Sequence, residues 1–220
     1  ALAAKGHDVT WWTSTFSHAV KRHVFEGDRE ESYEGVRIRL LRGPGYRRNV
    51  SLARIRHQQH FAERFSQEAA KETSPDLVIS PIPTLETAEQ ALRFTKTRGI
   101  AMLTDIRDEW PEEFVDLAPR PLRWAARLAL RSAFQRLEGI CRGADGILGM
   151  SRRQLDYGLG YSGRLEGSND GVFPLGYSAA PVEPAKVSEA RRWWTGQGVR
   201  EEAFVCCFFG TIGRFFSLET

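Results

Sequence analysis

The sequence predicts an α/β fold: a parallel sheet with helices on both faces. Two observations carry this. Apolar runs of strand length alternate along the chain with segments of helical three-to-four spacing, the pattern of a parallel sheet rather than of hairpins. No run is long enough to span a bilayer, and hydrophobic residues at 41% with charged residues at 27% suit a water-exposed globular surface around a sizeable core.

In chain order, residues 1–5 read as the last turn of a helix with Gly6 as its left-handed cap. One turn cannot nucleate a helix by itself, so a segment is expected before Ala1. Residues 9–12 are β-rich and predict a strand; 16–33 are polar and read as loop. Residues 36–41 alternate apolar side chains with Arg37 and Arg39, a half-exposed strand, which Gly43-Pro44-Gly45 breaks. Ser51 caps a helix to about Glu72, its buried stripe being Leu52, Ile55, Ala62, Phe65 and Ala69. Residues 77–80 predict a short buried strand. Thr84 opens the next helix, with Glu86 in its first turn. Residues 100–106 predict a strand. Pro121 starts a helix to about Cys141, with Leu122, Ala126, Ala129, Ala133, Leu137 and Ile140 inward. Residues 146–150 predict another strand, and Ser151-Arg152-Arg153-Gln154 a capping box.

Pro174, Gly176, Pro181 and Pro184 mark a linker, dividing the chain into 1–173 and 174–220. A helix follows near 186–194. Residues 204–209 are almost wholly apolar, as in a strand buried on both faces. Such a strand needs partners, expected beyond Thr220.

The formal charge is +3, compatible with phosphates, anionic lipid or nucleic acid without selecting among them. Three cysteines make neither a disulfide framework nor a zinc spacing, which points to a reducing cytosol. His57 and His60 sit three apart on a helix, but no carboxylate completes a metal site, and both read as surface residues. A Gly-x-Ser-x-Gly elbow is absent and no full Gly-x-Gly-x-x-Gly follows a strand, which argues against a serine hydrolase and a dinucleotide oxidoreductase.

In parallel sheets, ligands bind beyond the carboxyl ends of the strands. Three segments therefore draw the chemistry. Asp105-Ile106-Arg107-Asp108-Glu109-Trp110-Pro111 gathers three carboxylates, a guanidinium and an indole at a strand end. A carboxylate there can orient a sugar hydroxyl or stabilise charge at an anomeric carbon, and Trp110 can stack on a sugar. The same residues can equally form an ion-pair network anchoring the loop, with Trp110 in the core. Phe209-Gly210-Thr211-Ile212-Gly213-Arg214 ends a strand in a glycine loop whose N–H groups and arginine suit a phosphate. Arg123, Arg127 and Arg131, four apart on a helix bearing Trp124, suit either a solvated face or an anionic membrane.

Taken in order, several motifs resemble those of the retaining GT-B glycosyltransferases of family four, especially bacterial members that build cell-surface polysaccharide. They are Lys5-Gly6-His7-Asp8-Val9-Thr10, Glu34-Gly35-Val36-Arg37-Ile38, Pro75-Asp76-Leu77-Val78-Ile79-Ser80, Ile106-Arg107-Asp108-Glu109-Trp110-Pro111, Ala144-Asp145-Gly146-Ile147, Phe173-Pro174-Leu175-Gly176 and Phe208-Phe209-Gly210-Thr211. The resemblance implies a Rossmann-like acceptor domain, its first strand missing, followed by the first strand of a second Rossmann-like domain that binds a nucleotide sugar. It implies hexose transfer with retention to a lipid-linked or saccharide acceptor, with no cofactor, no obligatory metal and no nucleic-acid partner. By position, Asp108 would face the reacting sugar, with Arg107, Glu109 and Trp110 on the acceptor side. Gly210, Thr211, Gly213 and Arg214 would approach the donor diphosphate. The implied location is cytoplasmic, at the inner membrane face through Arg123, Arg127 and Arg131. Leu175 stands where the family has an asparagine. The alternative is a non-catalytic basic module that binds membrane or nucleic acid.

Overall fold

A computed structural model describes residues 2–176, 181–200 and 202–208. The chain divides into two units, Ala1–Leu175 and Gly176–Thr220.

The first unit opens with a 3-10 turn, Ala3–Lys5, closed by Gly6 at φ 86°. Strand β1, Val9–Ser14, pairs in parallel with β5, Val36–Leu41. The stretch read as loop instead contains β2 (Phe16–Ser17), β3 (Arg22–His23) and β4 (Arg29–Tyr33). Strand β4 pairs antiparallel with β5, placing Glu30 opposite Arg39 and extending the sheet in the order β1-β5-β4. Its polar, mostly exposed side chains hid it, because an edge strand with two wet faces carries no period-two pattern.

Helix α1, Leu52–Ala69, is capped as expected: the Ser51 hydroxyl accepts the Arg54 N–H. Its buried face is His57, Ala62, Phe65 and Ala69, whereas Leu52 and Ile55 are exposed. Strand β6, Leu77–Ile82, leads to α2, Leu85–Arg98, then β7, Ala101–Ile106. The expected long helix is interrupted. After α3 (Glu112–Asp116) come a 3-10 turn at Arg120–Leu122, α4 (Arg123–Ala129) and, past a break at Leu130, α5 (Arg131–Gly143). Leu122 and Ala129 are consequently exposed rather than in the core; Leu137, Ile140 and Cys141 are buried. Strand β8, Gly146–Gly149, α6, Arg152–Ser162, and β9, Gly171–Val172, complete a four-stranded, all-parallel sheet in the order β6-β7-β8-β9. The capping box is not formed in the backbone sense, since the Ser151 hydroxyl donates to the Gln154 side-chain oxygen.

One core joins these parts. Leu41, Phe65 and Ala69 pack with Ile82, Leu85, Met102, Ile106, Leu137, Ile140, Ile147 and Leu155. Residues of α1, α2, α5 and α6 thus share one face of the strands. On β6 the opposite face, Leu77, Ile79 and Pro81, is exposed. The described helices therefore cover one face, not both. The reason is topological: right-handed crossovers that step the same way along a sheet place their helices on the same side.

Ion pairs fasten the periphery. Glu72 receives both Arg37 (3.1 Å) and Arg39 (2.6 Å) from β5. Arg136 of α5 is forked between Glu86 and Glu89 of α2. The Asp170 side chain is fully buried, held by Arg164 and by the Ile147 N–H at 2.7 Å, which anchors the approach to β9.

In the second unit, α7 spans Pro184–Gly196. Residues 204–208 form no strand, and Phe204 is 94% exposed. The buried-strand expectation thus fails for these residues. Apolar composition sets where a strand can be buried, but not whether a ladder forms there.

Candidate functional site

The parallel pairing of β7 with β8, with Ile106 opposite Gly149, brings two loops together at the carboxyl end of the sheet. One is Arg107-Asp108-Glu109-Trp110; the other is Ser151 and the first turn of α6. Arg153 holds the Glu109 carboxylate through both edges, with Nη2 2.8 Å from Oε2. Gln154 donates to the Arg107 carbonyl at 3.5 Å. Arg107 turns back on Asp105, Nε to Oδ2 2.7 Å, and its own N–H reaches Ile82 O at the end of β6.

The loop's carboxylates therefore divide by environment. Asp105 and Glu109 are ion-paired. Glu112 is tied to Arg127 and accepts the Tyr161 hydroxyl at 3.2 Å. Glu113 accepts the Glu109 N–H; burial, then the Asp108 and Glu109 charges, push its carboxyl up. Asp108 is exposed and, among the described residues, has no hydrogen bond or ion pair. Of the two readings of this segment, an anchoring network holds for Asp105, Arg107 and Glu109. Trp110 packs against the core, its ring 4.6 Å edge-on to Phe114. Asp108 is left facing solvent between them.

Gly210, Thr211, Gly213 and Arg214 lie outside the described residues. Of the three helix arginines, Arg123 pairs with Asp116 at 3.0 Å, and Arg127 with Glu112 while resting on the Phe134 ring. Those two are engaged with α3 and the fold; Arg131 has no ion pair among the described residues.

A second cluster lies at the ends of β1 and β5, and the sequence reading missed it. His57 is 6% exposed, not a surface residue. Its Nδ1 accepts the Gly45 N–H at 3.1 Å, so the proton sits on Nε2, 3.4 Å from the Ser14 hydroxyl. His23 meets the Thr15 hydroxyl at 2.8 Å, and Phe16 packs among the rings of His23, Tyr46 and His57. Burial, followed by neighbouring positive charge, lowers the pKa of both His23 and His57. Beside them a shallow depression of about 360 Å³ is lined by Asp28, Arg42, Gly43, His60 and Arg64. The signal was present: His57, Phe61 and Phe65 are four apart, so the imidazole belongs to the inward stripe. No group of three His, Cys, Asp or Glu is arranged to hold a metal among the described residues. No helix among them is long and apolar enough to cross a membrane.

Comparison with known protein families and with curated proteins finds no match to this chain.

Proposed function

We propose that this chain carries the acceptor-side domain of a retaining glycosyltransferase that moves a hexose from a nucleotide sugar to a lipid-linked or saccharide acceptor. The observation that carries the reading is Asp108. It is an unpaired carboxylate at the carboxyl end of a parallel strand, on a loop whose other charges are occupied in holding it still. Such a carboxylate can accept a hydrogen bond from a sugar hydroxyl or stabilise positive charge at an anomeric carbon, and a fixed loop lowers the reorganisation this requires. Arg107, Glu109 and Trp110 shape the acceptor side around it. The order of motifs along the sequence supports the same reading. In it, the Gly210–Arg214 turn approaches the donor diphosphate, no metal is obligatory, and the enzyme works in the cytoplasm at the inner face of the cell membrane, in polysaccharide synthesis.

The test uses the full polypeptide with a panel of labelled nucleotide sugars and lipid-linked or saccharide acceptors. Asp108→Asn is expected to lower transfer by a factor on the order of a hundred or more with an unchanged melting temperature. Wild-type turnover in that variant removes Asp108 from the chemistry.

A further inference from the structure

Helix α6 carries a further inference, which rests on the transferase reading and deepens it. Arg153, Tyr157 and Tyr161 stand four residues apart and share one face of α6. The first and last of them reach the loop that bears Asp108. Arg153 holds Glu109 at one end, and at the other the Tyr161 hydroxyl donates to Glu112 Oε2 at 3.2 Å. Arg127 of α4 holds the second Glu112 oxygen at 2.5 Å. Both edges of that carboxylate are thus fixed from outside its own helix.

Glu112 is the first residue of α3, a helix of five residues, so short that side-chain contacts decide where it begins. Where Glu112 is held decides where the next residue, Glu113, stands. Glu113 reaches back along the chain, and its Oε1 accepts the Glu109 N–H at 3.2 Å. That amide belongs to the peptide unit that follows Asp108. A series of contacts therefore runs from Tyr161 through Glu112 and Glu113 to the backbone at Asp108. Tyr161 suits this task because its ring is confined. It lies 5.0 Å from the Tyr157 ring and stacks on Phe134 at 6.2 Å. Burial, then the Glu112 charge, raise its pKa, so the hydroxyl keeps its proton and remains a donor at neutral pH. Tyr157, one turn away, is the contrast. Its buried hydroxyl lies near the Glu112 backbone and the Tyr161 hydroxyl but meets neither at hydrogen-bonding geometry.

We propose that Tyr161 is a positioning residue for Asp108: its hydroxyl, through Glu112, sets the start of α3 and so the place at which the Asp108 carboxylate is presented to the sugar.

The test uses the full polypeptide with the panel of nucleotide sugars and acceptors, and follows hydrogen exchange at the Glu109 amide by NMR. Tyr161→Phe keeps the ring and its packing and removes only the hydroxyl. It is expected to speed exchange at Glu109 and to lower kcat about tenfold, with KM for donor and acceptor within about twofold of wild type. Tyr157→Phe, the same change one turn away, should leave exchange and turnover at the wild-type level. In an Asp108→Asn background, Tyr161→Phe should cost nothing more, because a residue that acts through Asp108 then has nothing to place. Unchanged exchange at Glu109 in Tyr161→Phe overturns the proposal whether or not the wild type transfers a sugar. So does a further loss of kcat of the same size in the Asp108→Asn background, or an equal effect of Tyr157→Phe. Faster exchange in a polypeptide that turns over no sugar supports the placing of Asp108 and overturns the transferase reading alone.

Discussion

Arg153 grips Glu109 across 44 residues of sequence, joining the loop after β7 to the first turn of the helix after β8. The arginine side chain is 79% exposed while the glutamate is 17% exposed, so the contact fastens the loop more than it stabilises the fold. Exposed pairs contribute little to stability, because water screens them. Arg153→Ala should therefore leave the unfolding midpoint close to that of the wild type. It should increase amide exchange at residues 107–110. Because the Arg153 charge opposes the upward push on Glu113, its removal should move the Glu113 titration still higher. An NMR titration in which Glu113 does not move would show that the guanidinium is too well solvated to act there.

The histidines at the ends of β1 and β5 make stability depend on pH in the mildly acidic range. His23 and His57 have lowered pKa values in the fold, so below about 6.5 the unfolded chain binds protons that the folded chain refuses. Stability is full above that pH and falls as pH drops until the folded imidazoles themselves protonate. For His57 burial is the first cause, followed by the charges of His23 and His60, and its Nδ1 is already occupied in accepting the Gly45 N–H. His57→Gln should flatten part of this slope in denaturant unfolding followed between pH 7 and pH 5. An unchanged slope would assign the dependence to other groups.

At Gly43 an added Cβ would stand 2.8 Å from His57 Nδ1. Gly43→Ala must displace the ring and break its contact with Gly45. A loss of about 1–3 kcal/mol is expected, measured by urea unfolding. The pH slope should shrink in parallel, because the displaced imidazole becomes solvated.

Asp170 is the buried acidic anchor of β8 and β9. Its hydrogen bond to Arg164 lowers its pKa to about 2. That stabilisation is present above about pH 4 and is lost as pH falls toward 2. Asp170→Asn leaves Arg164 without its counter-charge and should cost about 3 kcal/mol, since Arg164 keeps some access to water. The reading is the midpoint of chemical unfolding at neutral pH, and a change under about 1 kcal/mol would show that Arg164 finds water enough on its own.

The three cysteines should separate cleanly. Burial pushes the Cys141 thiol up to about 12, whereas Cys206 and Cys207 are exposed. A thiol reagent at pH 8 should label the latter two quickly and Cys141 only on unfolding. Equal labelling rates would contradict the packing of α5 on the sheet.

Much of the scaffold was legible before folding. The β1, β5, β7 and β8 strands, the Ser51 cap and the Gly6 turn follow from local apolar periodicity and from conformational demands that one residue can meet. The paired edge strand β4 was not, because its residues are polar and its existence depends on β5 as template. The break at Leu130 was also hidden, since an unbroken helical pattern runs through it.

At the site, sequence determined that three carboxylates and two arginines would stand near two strand ends, because strand polarity carries them there. Only the tertiary structure decided which of them are occupied. Glu109 and Asp105 find cations, the first of these from another element, and Asp108 does not. In the same way, spacing singled out Arg123, Arg127 and Arg131, but contacts with α3 withdrew Arg123 and Arg127 and left Arg131 with no ion pair among the described residues. Period and propensity are properties of neighbours in the chain. Charge neutralisation depends on neighbours in space, so the groups left free to act are fixed only when the chain has folded.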